Sequence, residues 1–146
     1  MIRSTKRKWK QTLLRRRRGS EVLEAAMVFP ILLALAFGTV EFGYYFYVEH
    51  NLEGAAREGA RAAVPFGLDQ TARADAIENA VDRVMTASGY QTSDYEIDVV
   101  DNANDPYIQV KVKMHWSNVS EGLKPMRMIK PKNDLVEGTA TMFKEN

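Results

Sequence analysis

Residues 15–48 read RRRRGSEVLEAAMVFPILLALAFGTVEFGYYFYV, and the fold of the whole 146-residue chain turns on this stretch. Ala25 to Val40 is a run of sixteen uncharged positions, and apolar character resumes after Glu41 from Phe42 to Val48. A bilayer core takes about 20 apolar residues as helix, so 25–48 is a candidate membrane span with room to tilt. Upstream, residues 1–18 hold nine Lys or Arg and no acid, which leaves 11 bases against 19 acids in the remainder. A basic flank on one side of a span places that side in the cytoplasm and the C-terminal part outside. Phe42, Tyr44, Tyr45, Phe46 and Tyr47 cluster at the far end, where amphipathic rings settle at a headgroup boundary; a plain aromatic packing face is the other reading. A secretory signal peptide cut after Ala34-Leu35-Ala36 ranks second, because the apolar run continues through Phe37 and Glu24 opens what would be its core.

Glu24 is the fifth residue after Gly19. Glycine permits the turned or extended backbone that a protease needs, and Arg15 to Arg18 hold the junction at the cytoplasmic surface. The arrangement resembles the processing site of type IV pilins and pseudopilins, which implies a leader, 1–19, removed between Gly19 and Ser20 by a prepilin peptidase. Further along, Val28-Phe29-Pro30, Phe37-Gly38, Glu41-Phe42-Gly43 and Ala55-Ala56-Arg57-Glu58-Gly59-Ala60-Arg61 are similar to the TadE-like family, over roughly Arg17 to Ala63. The chain departs from pilins of this system at Ala25, where they tend to carry an aromatic residue. The resemblance implies a minor pilin or pseudopilin of the bacterial tight-adherence (Flp) pilus or a related secretion machine. It implies residence in the inner (cytoplasmic) membrane, incorporation into an extracellular pilus, and homo- or hetero-oligomeric association. The implied partners are other pilins or pseudopilins, assembly-platform proteins and membrane lipid, with no nucleic acid. The alternative is an uncleaved single-pass anchor bearing a periplasmic binding domain.

A helix carried from Ser20 to Val64 is about 67 Å long at 1.5 Å per residue, more than a bilayer needs. Pro30 removes one backbone bond and bends it, a defect that membrane helices tolerate. An acid entering hydrocarbon costs about 2.5 to 3.5 kcal/mol, so Glu24 wants a partner. After the cut the Ser20 amine is a cation one turn away; at an effective dielectric near 20 a 4 Å contact is worth about 4 kcal/mol before desolvation. Glu24 can therefore meet its own amine or, as the resemblance implies, that of a neighbouring subunit; the bland alternative is an acid at the headgroup level. Glu41, about 24 Å along the axis from Ala25, reads as a solvated interfacial acid. Ala34 with Gly38, and Ala55 with Gly59 and Ala63, repeat small residues at a spacing of four, which suits close helix packing in an assembly or beneath the chain's own domain. Glu53 with Arg57, and Glu58 with Arg61, have the spacing of surface ion pairs.

Beyond Pro65-Phe66-Gly67, which ends the long helix, Ala74, Ile77, Val81 and Val84 recur at helical spacing, predicting a second helix over 71–88 closed by Gly89. Tyr95 to Val99 and Ile108 to Trp116 alternate as strands of a hairpin, and Leu135 to Phe143 offers a third strand weakened by Gly138. Residues 65–146 thus form a small extracytoplasmic domain. The fold class is α+β, a long, partly transmembrane helix followed by a second helix and about three antiparallel strands, in the lollipop arrangement of type IV pilins. Ile108, Val110, Val112, Met114 and Trp116 form its core stripe.

With no cysteine, disulfides and thiolate metal sites are excluded. Asp98, Asp101, Asn102, Asn104 and Asp105 lack the spacing of a calcium loop and carry Pro106 where the glycine belongs, so a solvated turn is expected. His50 and His115 have no nucleophile at a meaningful spacing. No catalytic residue, metal or cofactor is expected, and the chain reads as a non-enzyme.

Overall fold

The computed structural model describes residues 5–65, 69–101, 105–119 and 129–145, with the backbone alone for 5–19. Helix α1 runs Thr5–Ala62 and α2 runs Gln70–Ala87; strands β1 (Tyr95–Val100), β2 (Tyr107–His115) and β3 (Leu135–Phe143) form an antiparallel sheet in the order β1-β2-β3. The class is α+β, as anticipated. Two elements differ from expectation. The long helix does not begin at Ser20 but continues back through Gly19 to Thr5, because the leader's Lys, Arg, Gln and Leu residues are good helix formers and a single glycine costs only about 1 kcal/mol. Trp116 leaves the sheet and opens a short 3-10 turn over 116–118, yet its ring stays buried, edge-on to Tyr45 at 5.5 Å.

The chain divides between Thr39 and Val40 into two compact units. The described part of the first is helix, and it continues through Pro30. Its side chains from Ser20 are almost all exposed, including Val22, Leu23, Met27, Val28, Phe29, Ile31, Leu32 and Leu35. Bare apolar surface on that scale has no place in water.

The second unit, 40–146, is built on the C-terminal turns of α1. Val48, Leu52, Ala55, Ala56, Ala60 and Ala63 are fully buried and share a core with Ile77, Val81 and Met85 of α2 and with Ile108, Val110, Val112 and Met114 of β2. The alternation of β2 is the cause: its even-numbered residues face the helices, while Gln109, Lys111 and Lys113 are only partly covered on the other face. Helix α2 is capped by Asp69, whose carboxylate accepts from Ala72 N at 2.7 Å, and the chain turns away just past its C-cap Ser88 at Gly89, whose φ of 90° is open to glycine without strain. Two glycines set how close the layers come. A Cβ on Gly59 would meet Val81 Cγ2 at 2.8 Å, with Ile77 and Val110 just beyond, so α1, α2 and β2 converge there. At Gly138, paired with Val112, β3 lies directly on the α1 backbone at Leu52 and Glu53.

An ion cluster joins three elements of this unit. Asp101 Oδ2 lies 2.9 Å from Arg73 Nη1 and its Oδ1 lies 2.6 Å from Lys144 Nζ, all three side chains being largely covered. Lys144 N also donates to Pro106 O at 2.9 Å. Asp101 is therefore not the solvated turn residue expected; it ties α2 to the ends of β1 and β3. The Lys144 hydrogen bond, with help from Arg73, holds its carboxyl below the ordinary range despite opposing burial. A carboxyl whose pKa is depressed by folding stabilises the fold at pH values above its unfolded pKa, about 3.9, and loses that contribution as pH falls through the folded value. Asp101→Asn is expected to cost about 1 to 2 kcal/mol at pH 7, and the gap to the parent protein is expected to close below pH ~4, as read by denaturant unfolding across pH.

Candidate membrane-anchoring and processing site

Helical geometry puts Ser20 and Glu24 on one face a single turn apart, and Ser20 Oγ donates to Glu24 Oε1 at 3.4 Å, both side chains exposed. The Gly19–Ser20 bond lies inside α1, so a protease acting there would have to unwind a turn around the one residue of the junction that holds a helix least well. From Ser20 to Ala62 the helix is long and apolar enough to cross a membrane. Thr39, within the apolar run, satisfies its hydroxyl by donating to Leu35 O at 2.8 Å. Ala34 is partly covered and Gly38 is buried.

Glu41 overturns its reading. It is not solvated: the side chain is fully buried, and Oε1 accepts from the backbone N–H of Ile129 at 2.9 Å. The acid that interrupts the apolar run belongs to the folded unit, where it receives a segment 88 positions later in the chain. Phe42 and Gly43, beside it, face outward, and a Cβ on Gly43 would touch nothing.

The segment from Ala55 to Arg61 splits between the two faces of α1. Ala55, Ala56, Gly59 and Ala60 are buried, whereas Arg57, Glu58 and Arg61 are exposed, with Arg57 Nη2 2.8 Å from Glu53 Oε2. The stripe of Ala55, Gly59 and Ala63 is thus occupied by the chain's own second helix and sheet.

Among the described residues no group of three His, Cys, Asp or Glu is placed to hold a metal ion. His50 is exposed, and His115 Nδ1 lies 4.0 Å from Asp134 Oδ2, both half exposed. Asn102 and Asn104 lie outside the described residues. A groove of about 360 Å³ between α2 and β1 is lined by Ala74, Ile77, Glu78, Thr92, Tyr95, Ile97 and Val99, a single carboxylate among apolar walls and hydroxyls. The Tyr95 hydroxyl at its rim donates to Asp82 Oδ1 at 2.6 Å, and burial together with that bond pushes the phenol up to about 12.

Residues 19–61 match the sequence model of the family described as TadE-like protein. This segment is TadE-like. The matched stretch begins at Gly19 and closes one residue before α1 ends, so the TadE-like unit is a single helix, from the proposed cut to the last turn. The match suggests a Tad pilus-associated protein, and the long apolar helix among the described residues suggests that it is membrane-anchored. No curated protein and no solved structure matches the chain. Within the TadE-like helix the positions serve two purposes: Glu41, Ala55, Ala56, Gly59 and Ala60 are embedded in the C-terminal unit, whereas Glu24, Pro30, Phe42, Gly43, Arg57, Glu58 and Arg61 are left on the surface.

Sequence reading took Gly138 only as a weakness of the third strand and Asp101 only as a turn residue, and it passed over Ile129, Arg73 and Lys144. A glycine inside an otherwise alternating strand is a recognised sign of close backbone approach, so Gly138 had a signal. The others pair across long sequence separations and had none.

Proposed function

We propose that the chain is a minor pilin or pseudopilin of a Flp-type pilus or related secretion machine, inserted with its N-terminus in the cytoplasm, trimmed between Gly19 and Ser20 by a prepilin peptidase, and added to an assembly through its apolar helix. The observation that carries this reading is the bare apolar surface of α1 between Val22 and Val40, opened by Ser20 and Glu24 one turn apart and lying in the TadE-like segment. In the trimmed chain the Ser20 nitrogen is an ammonium group within reach of Glu24 on the same turn, or Glu24 pairs with the amine of a neighbouring helix. Either pairing offsets the cost of an acid at the edge of hydrocarbon. The basic leader holds the junction on the cytoplasmic side, and the C-terminal unit then lies outside, where it is available to other pilins and to platform proteins.

The functional test is Glu24→Ala. Membrane insertion and trimming are expected to proceed as in the parent, while recovery in sheared filaments or in cross-linked complexes with other pilins falls by at least about tenfold, the effect of losing roughly 1.4 kcal/mol of pairing. Assembly at the parental level by this variant would return Glu24 to a headgroup-level acid with no role between subunits. The uncleaved anchor remains the second reading, favoured by the unbroken helix through Gly19.

A further inference from the structure

From Val40 onward α1 is divided lengthwise. Glu41, Val48 and Leu52 are fully buried, and Tyr44 and Tyr45 pack against the core, a spacing that keeps one face of the helix in protein. On the opposite face of the same turns Phe42, Phe46 and Tyr47 remain 48%, 61% and 47% exposed. That face stops being apolar one turn later: His50 is exposed, followed by Arg57, Glu58 and Arg61.

We propose that Phe42, Phe46 and Tyr47 lie against the lipid of the outer leaflet, so that the folded unit begins within the headgroup layer, with one side of α1 in lipid and the other in protein. The proposal rests on reading α1 as a membrane span and adds where the span ends and what covers the aromatic patch. Exposed large apolar side chains recur along the chain from Val22 to Tyr47, about 38 Å of helix, which is a hydrocarbon core of about 30 Å plus a few ångströms of interface. Ring side chains at the end of that run, followed by charge, are the pattern of a bilayer boundary. Glu41 fits the same depth: an acid there is sheltered by its own domain and bonded to Ile129 N. A second copy of the chain is the competing occupant, but it would not require the exposed face to turn polar one helical turn beyond the length of a bilayer.

The chain has no cysteine, so single thiols can be introduced into the full-length protein. Phe46→Cys, Phe42→Cys, Phe29→Cys and Arg61→Cys, each carrying a polarity-sensitive fluorophore, would be reconstituted in phosphatidylcholine vesicles with quenchers at the headgroup level, at the acyl-chain midpoint, or in water as iodide. All four sites are exposed, so the labels leave the core intact. The expected result is quenching at 42 and 46 at least about twofold stronger from the headgroup-level quencher than from either other position, with Phe29→Cys answering to the midpoint quencher and Arg61→Cys to iodide. If 46 and 42 respond to iodide as 61 does while 29 still senses lipid, the seat in the headgroup layer is overturned and the span survives. If 42 and 46 escape all three quenchers and a short bis-maleimide joins two chains through them, a second copy is the occupant and the proposal is again overturned. If 29 itself senses no lipid, the span fails and the proposal with it.

Discussion

Gly138→Ala is expected to cost the C-terminal unit about 3 kcal/mol or more, a loss of stability out of proportion to one methyl group. The added Cβ would fall on the backbone of Leu52 and Glu53, where neither side can yield: Leu52 is fully buried, and β3 is held by its register with β2 on both sides of the Val112 pairing. Inserted methylenes usually cost 1 to 3 kcal/mol because side chains can move; a wedge between two backbones has no rotamer to escape into. For a domain of this size such a loss lowers Tm by roughly 10 to 20 °C. The control is Gly54→Ala, in the same helix, where a Cβ meets nothing within 4 Å. There alanine is expected to stabilise by about 0.5 to 1 kcal/mol, because glycine is the poorer helix former. Thermal melts of the detergent-solubilised chain followed by circular dichroism read both signs; an unchanged Tm for Gly138→Ala would show that strand and helix do not touch.

Glu41→Ala is expected to cost about 2 to 4 kcal/mol, more than Glu41→Gln. Alanine removes the acceptor of the Ile129 N–H and leaves a void in a fully buried place, whereas glutamine keeps both the volume and a carbonyl oxygen. Denaturant unfolding gives the size of the effect, and amide exchange at Ile129 tests its location: the alanine variant should exchange faster there, the glutamine variant hardly at all. Equal stability of all three proteins would mean that the carboxylate is not bonded inside the domain. The prediction separates two roles that a family position can have. Glu24, exposed at the start of the apolar run, is expected to affect assembly and not folding; Glu41 is expected to affect folding first.

The strands and the second helix were legible because their signals are local. β3 spans the predicted Leu135–Phe143, and the alternation of Ile108, Val110, Val112 and Met114 marks the buried face of β2. Asp69 and Gly89 bound α2 within a residue or two of the predicted ends. What escaped was the direction each part of the long helix faces. Its buried face near the boundary is made of Glu41, Tyr44, Tyr45 and Val48, and its open face of Phe42, Phe46 and Tyr47, so hydrophobicity does not distinguish inside from outside. Lipid and protein core select the same residue types, and an acid among them reads as interfacial until its partner is seen. That partner is 88 residues away, as Arg73 is 28 from Asp101; no periodicity records such pairs. The small-residue stripe shows the same ambiguity, since Ala55, Gly59 and Ala63 would suit a neighbouring subunit as well as the α2 and sheet that occupy them.

The trimming of the leader is tested most directly by the intact mass and N-terminal sequence of the chain extracted from membranes of cells that contain the prepilin peptidase. Ser20 as the first residue is the predicted result, with the mass reduced by residues 1–19. A chain that keeps Met1 in the presence of an active peptidase would contradict it and leave the uncleaved anchor, and a chain beginning at Phe37 would contradict it in favour of a secreted protein.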